Sequence, residues 1–291
     1  EEQGPYFDWI GFIFTGISIA TLVLDCDLIV QPDMPASVTA GLFVLSLATG
    51  AFAAWYMLRR AEPILDLSLL RIPSFCIGVA VGALFRIGGG GVSYLMAILL
   101  QVSMGMSAFA SGSITLAGAL SSLTMKAAIP PILRRWGFRT VLIGNGIISA
   151  AAVAACALIT QSTPGVVVFL ILLIGGFFRS LQFTSLTTLA YADIPTARTS
   201  AATSFSSMMQ QINNGLGVAV AAVLLHAMQL FHTEAVGTVS IVDLRFVFVT
   251  MSLIALSGVV FYTWLPHDAG VEVSGHRPRG SVDPADAETA D

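Results

Sequence analysis

Long apolar runs separated by short polar connections dominate the sequence. Eight runs have the length of about 20 mainly apolar residues that crosses a bilayer. They lie at about 9–29, 36–58, 75–100, 106–130, 139–159, 164–190, 200–230 and 244–264. Such runs must be helices, because the strands of a membrane barrel are shorter and alternating and lipid-exposed backbone groups cannot stay unpaired. The pattern predicts an all-α integral membrane protein with eight transmembrane helices in a lipid bilayer.

The composition supports this location and narrows the choice of partners. Of the 291 residues, 56% are hydrophobic and 10% are charged, whereas soluble domains carry about 25% charged residues. The net charge is -4, and Lys and Arg form no basic run of the kind that nucleic-acid binding needs. The cysteines show no metal-ligand spacing. We therefore expect no nucleic-acid partner, no metal and no cofactor.

Positive charges alternate between the connections and predict the orientation. They lie between spans two and three, four and five, and six and seven, and again after span eight: Arg59, Arg60, Arg71, Arg134, Arg135, Arg139, Arg198, Arg277 and Arg279. The other connections, near 30–35, 101–105, 160–163 and 231–243, contain neither Lys nor Arg. By the positive-inside rule both termini are expected to be cytoplasmic.

The connections also divide the chain into four parts. Residues 1–58 hold the N-terminal end and two spans, and residues 75–264 hold six spans. Between them, "RRAEPILDLSLLRIPS" at 59–74 reads as an amphipathic segment on the cytoplasmic surface, with a plain linker as the alternative. Residues 265–291 carry too little apolar content to fold alone and are expected to be disordered.

Several stretches resemble the major facilitator superfamily. "PPILRRWGFRTVLIGNG" at 130–146 is similar to the weaker second copy of its cytoplasmic loop motif, with Arg134, Arg135 and Arg139 around Gly137. "GGFFRSLQFTSLTTLAYADIPTARTSAATSFSSMMQQINNGLGVAVAA" at 175–222 resembles helices four and five of the C-terminal bundle in the fourteen-span drug:proton antiporter family. "FDWIGFIFTGISIATLVL" and "AEPILDLSLLRIPSF" resemble the inserted helix pair and the join that follows it.

The resemblance implies an organisation and an activity. This chain would supply the two inserted linker helices and the six-helix C-terminal bundle, while the N-terminal six helices would be absent. The activity would be proton-coupled efflux of drugs or other hydrophobic or amphipathic small molecules by alternating access, in a bacterial inner membrane. The chain would not be an enzyme. It would not transport without the N-terminal half as its partner.

Two arginines inside the spans are the first site candidates, because an ionisable group within the membrane is expensive and usually functional. Arg86 is expected near the midplane and Arg179 in the cytoplasmic half of its helix. No Asp or Glu lies deep in the 75–264 bundle. Each arginine is therefore either bonded to carbonyls and amides of the bundle or paired with a carboxylate of the N-terminal half or the substrate. Arg86 is the better candidate for the substrate pathway.

Neutral polar residues and glycines complete the set of candidates. Gln182 is three residues from Arg179 and so shares its helix face, and the other polar candidates are Tyr94, Gln101, Gln210, Gln211, Asn213 and Asn214. Each could contact substrate or bond between helices. Four consecutive glycines, Gly88, Gly89, Gly90 and Gly91, predict a bend or close helix packing.

The carboxylates and histidines of the sequence bear on proton coupling and on two alternative functions. Asp25 and Asp27 are the only carboxylates embedded in a predicted helix, so the titrating carboxylate of proton coupling would come from the absent helices. The first alternative is a stand-alone eight-span protein with a regulatory or assembly role. The second, a lipid-modifying enzyme, is disfavoured because the four histidines are scattered and the spans hold no paired carboxylates.

Overall fold

The described part of the protein consists mainly of helices joined by short turns. The computed structural model describes residues 8–28, 34–59, 66–231, 240–266 and 269–274, and those ranges contain no β-strand. The long helices are α1 (Trp9–Leu28), α2 (Ala36–Leu58), α3 (Pro73–Ser103), α4 (Ala108–Ala155), α5 (Gly165–Ala192), α6 (Thr199–Phe231) and α7 (Ile241–Tyr262). Short segments are 3-10 turns at Leu67–Arg71, Cys156–Leu158 and Thr196–Arg198, and helix α8 (Val271–Ser274). The all-α prediction is confirmed.

Six helices in the described part of the chain, α2 to α7, are long and apolar enough to cross a membrane. Helix α1 has a shorter apolar stretch, Trp9–Asp25. The predicted spans 106–130 and 139–159 fall within one helical stretch of 51 residues, Ala108–Leu158. The structure thus supports membrane helices as a class, while the count of eight stays a prediction.

Helix α4 changes direction at Gly137. Its backbone angles there, φ 70° and ψ 164°, are non-helical and lie in a region that residues with a side chain rarely adopt. Leu133 before the break and Phe138 and Val141 after it belong to one buried apolar cluster. Residues 108–136 and 138–155 are therefore two limbs of α4 joined by a tight turn, with Arg134 and Arg135 exposed beside it.

Helix α3 is irregular at three places. It contains two π-helical segments, Ile77–Val81 and Ile98–Ser103, and an interruption at Gly91 between its α-helical parts Gly82–Gly90 and Val92–Ala97. The wider π turns bond residue i to i+5 and are common at functional sites. They change which side chains of α3 share a face.

The four glycines of α3 let other helices approach closely. A Cβ at Gly88 would lie 2.6 Å from the carbonyl oxygen of Met251 on α7, and one at Gly91 would lie 2.7 Å from the carbonyl oxygen of Gly217 on α6. Gly90 also faces α6, 3.2 Å from the Asn214 carbonyl oxygen. Gly89 points elsewhere, toward the Arg179 stem. These positions therefore hold α3 against two neighbours at once.

The described part of the 59–74 connection packs against protein. Leu69 is fully buried with Phe75 of α3, Met57 of α2 and Phe205 of α6. Asp66 begins the 3-10 turn by accepting a hydrogen bond from the Ser68 backbone N–H at 3.1 Å. Its carboxylate also pairs with the guanidinium of Arg198. Residues 60–65, which include the apolar Ile64 and Leu65 of the predicted amphipathic segment, lie outside the described residues.

Helices α1 and α2 form a hairpin against the bundle. The hydroxyl of Ser18 donates to the Ser46 carbonyl oxygen at 2.8 Å, and the Ser46 hydroxyl donates to the Ser18 carbonyl oxygen at 2.9 Å. Gly50 leaves room for this exchange, since a Cβ there would lie 2.7 Å from the Ser18 hydroxyl. Phe14 of α1 packs against the cluster around Phe205. The hairpin and the six-helix bundle are therefore in contact.

Little of the C-terminal tail is described, and that part is folded back. Gly270, at φ 67°, is buried against Phe138, whose ring carbons would lie 2.7 Å from a Cβ at this position. Helix α8 follows it directly. Disorder was predicted for the whole of 265–291, and the described residues of that range are packed against the bundle instead; residues 275–291 lie outside the described residues.

The turn at Gly137 generates a stability prediction. Gly137→Ala should lower the free energy of unfolding by about 1–3 kcal/mol, because alanine is strained at this φ. Gly144→Ala is the matched control: this glycine is helical and has open space around a Cβ, so the change should be neutral or stabilising by up to ~1 kcal/mol. Unfolding in mixed detergent micelles, followed by tryptophan fluorescence, measures both, and equal losses would contradict the strained turn.

The Asp66–Arg198 pair generates a pH prediction. Partial burial alone would raise the pKa of Asp66, but hydrogen bonds from Ser68 and Arg198 and the Arg198 charge outweigh it, and the pKa is lowered. The ionised carboxylate therefore stabilises the fold above the ordinary Asp pKa, and this contribution disappears as the pH falls through the lowered value.

Asp66→Asn should accordingly cost less than ~1 kcal/mol near neutral pH, because both side chains are partly exposed. The difference in melting temperature from the unchanged protein should shrink in acid. A difference that grows toward low pH would refute the pairing.

Candidate functional site

Four helices line a partly open cavity of about 510 Å³ halfway along the bundle. Helices α3, α4, α5 and α6 each contribute side chains to it. Its lining combines cations, hydroxyls, glycines and two aromatic rings: Phe85, Arg86, Gly89, Gly90, Ser93, Gly118, Ser122, Lys126, Gly176, Arg179, Ser180, Phe183, Thr184, Asn214 and Val218. The volume is within the range of about 300–1,000 Å³ typical of small-molecule sites.

Arg179 lies at the centre of this arrangement. It is 14 residues after Gly165 and 13 before Ala192, so it is at the middle of α5 rather than toward one end. Within the described ranges its guanidinium has no hydrogen bond and no ion pair. Two glycines leave it uncovered: a Cβ at Gly118 would lie 3.6 Å from its Nη2, and one at Gly89 would lie 3.7 Å from its Cδ.

Arg86 lines the same cavity but is bonded within the bundle. It is buried, and it donates from Nη1 to the Gly78 carbonyl oxygen at 3.0 Å and from Nη2 to the Thr187 hydroxyl at 3.4 Å. Its guanidinium also lies 5.1 Å from the centre of the Phe183 ring. Gly82 makes this reach possible, because a Cβ there would lie 2.7 Å from Nη1. Arg86 therefore ties α3 to α5.

A second cavity of about 460 Å³ adjoins the first, sharing Ser93, Gly118, Gly176 and Arg179 with it. It extends between α3, both limbs of α4 and α5, and its wall includes small and hydroxyl side chains such as Ser111, Thr115 and Ser149. Gln101 also lines it and donates to the Ser111 hydroxyl at 3.4 Å. Arg179 stands where the two cavities meet.

Gln182 has a different environment from Arg179. It is fully buried, accepts from Asn145 Nδ2 at 2.8 Å and donates to the Leu142 carbonyl oxygen at 3.1 Å. Asn145 also donates to the Phe178 carbonyl oxygen at 2.8 Å. These bonds join α5 to the second limb of α4, and Gln182 lines neither cavity.

The remaining polar candidates are dispersed. Asn214 lines the larger cavity. Gln210 donates to the Ser206 hydroxyl at 3.1 Å, one turn away on α6, while Asn213 is buried and Gln211 is exposed. Tyr94 is half-buried beside an apolar cluster. The two cavities therefore bring together Arg86, Arg179, Gln101 and Asn214, and they leave out Tyr94, Gln182, Gln210, Gln211 and Asn213.

Several lining residues had not been predicted. Lys126 lines the cavity although it was not among the predicted site residues. Asn145, which lines neither cavity, was also not predicted and holds Gln182 in place by donating a hydrogen bond to it. On α5, Arg179 and Phe183 are four residues apart, as are Ser180 and Thr184, so each pair shares a helix face. That spacing was a usable signal in the sequence. In the described part of the chain no cluster of three or more His, Cys, Asp or Glu side chains could hold a metal ion.

Comparison with known proteins places this arrangement in a family. Residues 4–218 match the family model described as Major Facilitator Superfamily. The chain is 28% identical over 235 residues to "Probable transport protein HsrA" of Haemophilus influenzae, covering 81% of this chain and 51% of the relative. It is 30% identical over 230 residues to "Putative multidrug resistance protein MdtD" of Serratia proteamaculans, covering 77% and 47%.

A third relative, the protein of the same name in Yersinia enterocolitica, is 26% identical over 278 residues, covering 95% of this chain and 58% of the relative. The chain thus spans about half the length of the curated relatives that it matches. The family match extends over more than two thirds of the chain and includes α3 to α5, which carry most of the cavity. The chain belongs to the major facilitator superfamily.

Proposed function

We propose that this chain is the C-terminal part of a secondary active transporter of the fourteen-span drug:proton antiporter type. It would export drugs or other hydrophobic or amphipathic small molecules in exchange for protons. The observation that carries the proposal is the cavity of about 510 Å³ at mid-bundle, where cationic and hydroxyl groups lie beside Phe85 and Phe183. Family membership and the transport and multidrug resistance names of the relatives support it.

Alternating access is the mechanism that we propose for this cavity. In transporters of this kind one bundle rocks against another around a central site. The described lining comes from one six-helix bundle, α3 to α7 with α4 counted as two limbs, so the opposite wall would be supplied by an N-terminal six-helix half. Helices α1 and α2 would be the inserted pair, packed outside the bundle on α6.

Proton coupling also points to that half. A coupling group must change its protonation state in the working range, which arginine does not do. None of the residues that line either cavity is an Asp, Glu or His. Asp25 is buried on α1 and Asp243 lies at the start of α7, and neither lines the cavities. The titrating carboxylate would therefore come from the N-terminal half.

The location follows from the same proposal. The protein would reside in a bacterial inner membrane with both termini in the cytoplasm. The exposed arginines beside Gly137 would then mark the cytoplasmic end of the bundle, in agreement with the positive-inside rule.

A transport assay tests the proposed function. Everted membrane vesicles containing this chain joined to its N-terminal half should accumulate Nile red, an uncharged amphipathic dye, when a proton gradient is imposed. A protonophore should abolish accumulation, and vesicles containing only this chain should show none. Accumulation that survives the protonophore would contradict proton coupling, and accumulation by this chain alone would contradict the need for the second half.

The bonding of Arg86 generates a second prediction. Arg86→Lys should lower the free energy of unfolding by roughly 1.5–3 kcal/mol, because an ammonium cannot reach both the Gly78 carbonyl and the Thr187 hydroxyl and one charged hydrogen bond is lost. Arg245→Lys is the control, since Arg245 is exposed and lines neither cavity. Unfolding in mixed micelles measures both variants. Indistinguishable stabilities would mean that Arg86 is not held by these bonds.

A further inference from the structure

We infer that the cavity of about 510 Å³ binds an organic anion and that Arg179 is the group that binds its charge, with Lys126 on the path by which it enters. The inference rests on the proposed function and specifies its substrate class. Among amphipathic molecules, it predicts a preference for those that carry a carboxylate, sulfonate or phosphate beside an apolar body over uncharged or cationic ones.

The charge of the cavity is the first argument. Three cationic side chains, Arg86, Lys126 and Arg179, line it, and its lining contains no acidic residue. Charges in a membrane bundle are otherwise paired or bonded to backbone carbonyls. A cavity with this imbalance favours a ligand of opposite sign, because focused positive potential raises the local concentration of anions.

The two arginines of the cavity differ in how their guanidinium groups are bonded. Arg86 has acceptors within the bundle, on α3 and α5. The Arg179 guanidinium has neither a hydrogen bond nor an ion pair with any residue in the described ranges, although it sits at the middle of a membrane helix. Its planar fork of donors matches a carboxylate or phosphate in two-point geometry. In the described part of the chain Arg86 also keeps one buried donor without a partner, its Nε, but both of its terminal nitrogens are bonded. Arg179 is therefore the arginine whose whole fork of donors is available to a ligand.

The surroundings of Arg179 keep it accessible to a ligand. Gly89 and Gly118 flank its stem and its terminal nitrogen without covering them. The Ser93 hydroxyl lines the same space and can supply an additional hydrogen bond. The Ser122 hydroxyl also lines it but already donates to the Ala119 carbonyl oxygen at 2.8 Å. A larger side chain at either glycine would occupy the approach.

A line of positive charge leads from Arg179 toward the Gly137 turn. Lys126 and Thr184 line both this cavity and a third one of about 370 Å³, which Arg134 and Thr188 also line. Lys126 and Arg134 are eight residues apart on the first limb of α4, and Ser180, Thr184 and Thr188 are four apart on α5. Each set shares a helix face. The two cavities thus meet at Lys126 and Thr184, and the cationic and hydroxyl groups follow each other from one cavity into the next, beside apolar side chains such as Ile129.

The walls indicate that the ligand has an apolar part. Phe85 and Phe183 line the cavity together with Val218. The Phe183 ring faces the Arg86 guanidinium at 5.1 Å, which fixes it at the wall. A small inorganic anion would leave these side chains without contacts, whereas an aromatic or aliphatic anion would bury them.

The competing explanation is a carboxylate of the N-terminal half paired with Arg179. That pairing would neutralise the cavity and remove its preference for anions. The two explanations therefore predict different charge selectivity, which a pair of dyes can measure. Fluorescein and rhodamine 123 share a xanthene frame and similar size, and fluorescein is an anion near neutral pH while rhodamine 123 is a cation.

Binding is measured first, by fluorescence anisotropy of each dye with the purified chain joined to its N-terminal half. Fluorescein should bind at least about tenfold more tightly than rhodamine 123. Arg179→Gln should weaken fluorescein binding at least about tenfold, the loss expected for one charge-assisted contact, and leave rhodamine 123 binding unchanged or tighter. Lys126→Gln should slow fluorescein association more than it changes the equilibrium affinity.

Arg245→Gln is the matched control, because it removes an exposed arginine that lines none of the three cavities. It should leave binding of both dyes unchanged. Arg179→Lys is a second, more conservative variant that distinguishes loss of the binding group from a folding defect. It keeps the positive charge but not the planar pair of guanidinium donors, so fluorescein binding should be intermediate between the unchanged protein and Arg179→Gln. The melting temperature of every variant is compared with that of the unchanged protein.

Three results would overturn the inference: no preference for fluorescein, equal loss of both dyes in Arg179→Gln, or fluorescein binding that does not depend on Arg179. Equal loss would indicate that Arg179 supports the shape of the cavity and does not bind the charge of the ligand, whereas tighter rhodamine 123 binding without a fluorescein preference in the unchanged protein would indicate a protein carboxylate as the Arg179 partner. Accumulation of both dyes in everted vesicles then separates this inference from the proposed function. Fluorescein binding that depends on Arg179, without transport of any dye, would support the anion site and contradict the transporter proposal. Nile red transport without a preference for the anionic dye would support the transporter proposal and contradict the anion site.

Discussion

The structure of this bundle depends on how closely backbones approach around α3. Water is absent from the bilayer core, so helices there associate through packing and hydrogen bonds rather than through hydrophobic burial. Gly88 allows α7 to approach, and Gly90 and Gly91 allow α6 to approach. Because these contacts involve backbone atoms, a single added methyl group would have to move a helix. The same close contacts leave Gly89 as the one member of the run that opens toward Arg179.

Arg86 and Arg179 line the same charged cavity but have different environments. Removing a guanidinium from water is expensive unless it finds acceptors. For Arg86 the fold provides a carbonyl on its own helix and a hydroxyl on α5, and an aromatic face beside them. For Arg179 the fold provides space instead. Arg86 thus stabilises the wall of the cavity through its hydrogen bonds. Arg179 keeps its donors directed into the open space of the cavity.

The sequence predicted the helices well because a membrane span is specified locally, by length and apolar content. The turn in α4 is also specified locally, because Gly137 is the single residue of that helix with a positive φ, which glycine adopts without strain. The site was harder to predict. The depth of a residue in the membrane can be estimated by counting residues from the end of its helix, and both Arg86 and Arg179 were expected inside the membrane on that basis. Whether Gln182 faces Arg179 or Asn145 depends on which helix packs beside it, and no local pattern encodes that.

The π-helical turn at Ile77–Val81 has a geometric consequence for the cavity. The carbonyl that accepts from Arg86 belongs to Gly78, inside this turn. A π turn holds about one residue more than an α turn, because its backbone bonds join residue i to i+5. The additional residue shifts the register of α3, so the side chains that follow the turn lie on a different face from the one that a regular α-helix would give them. One inserted residue therefore affects both where the Gly78 carbonyl meets Arg86 and which side chains of α3 reach the cavity, while the helix stays continuous.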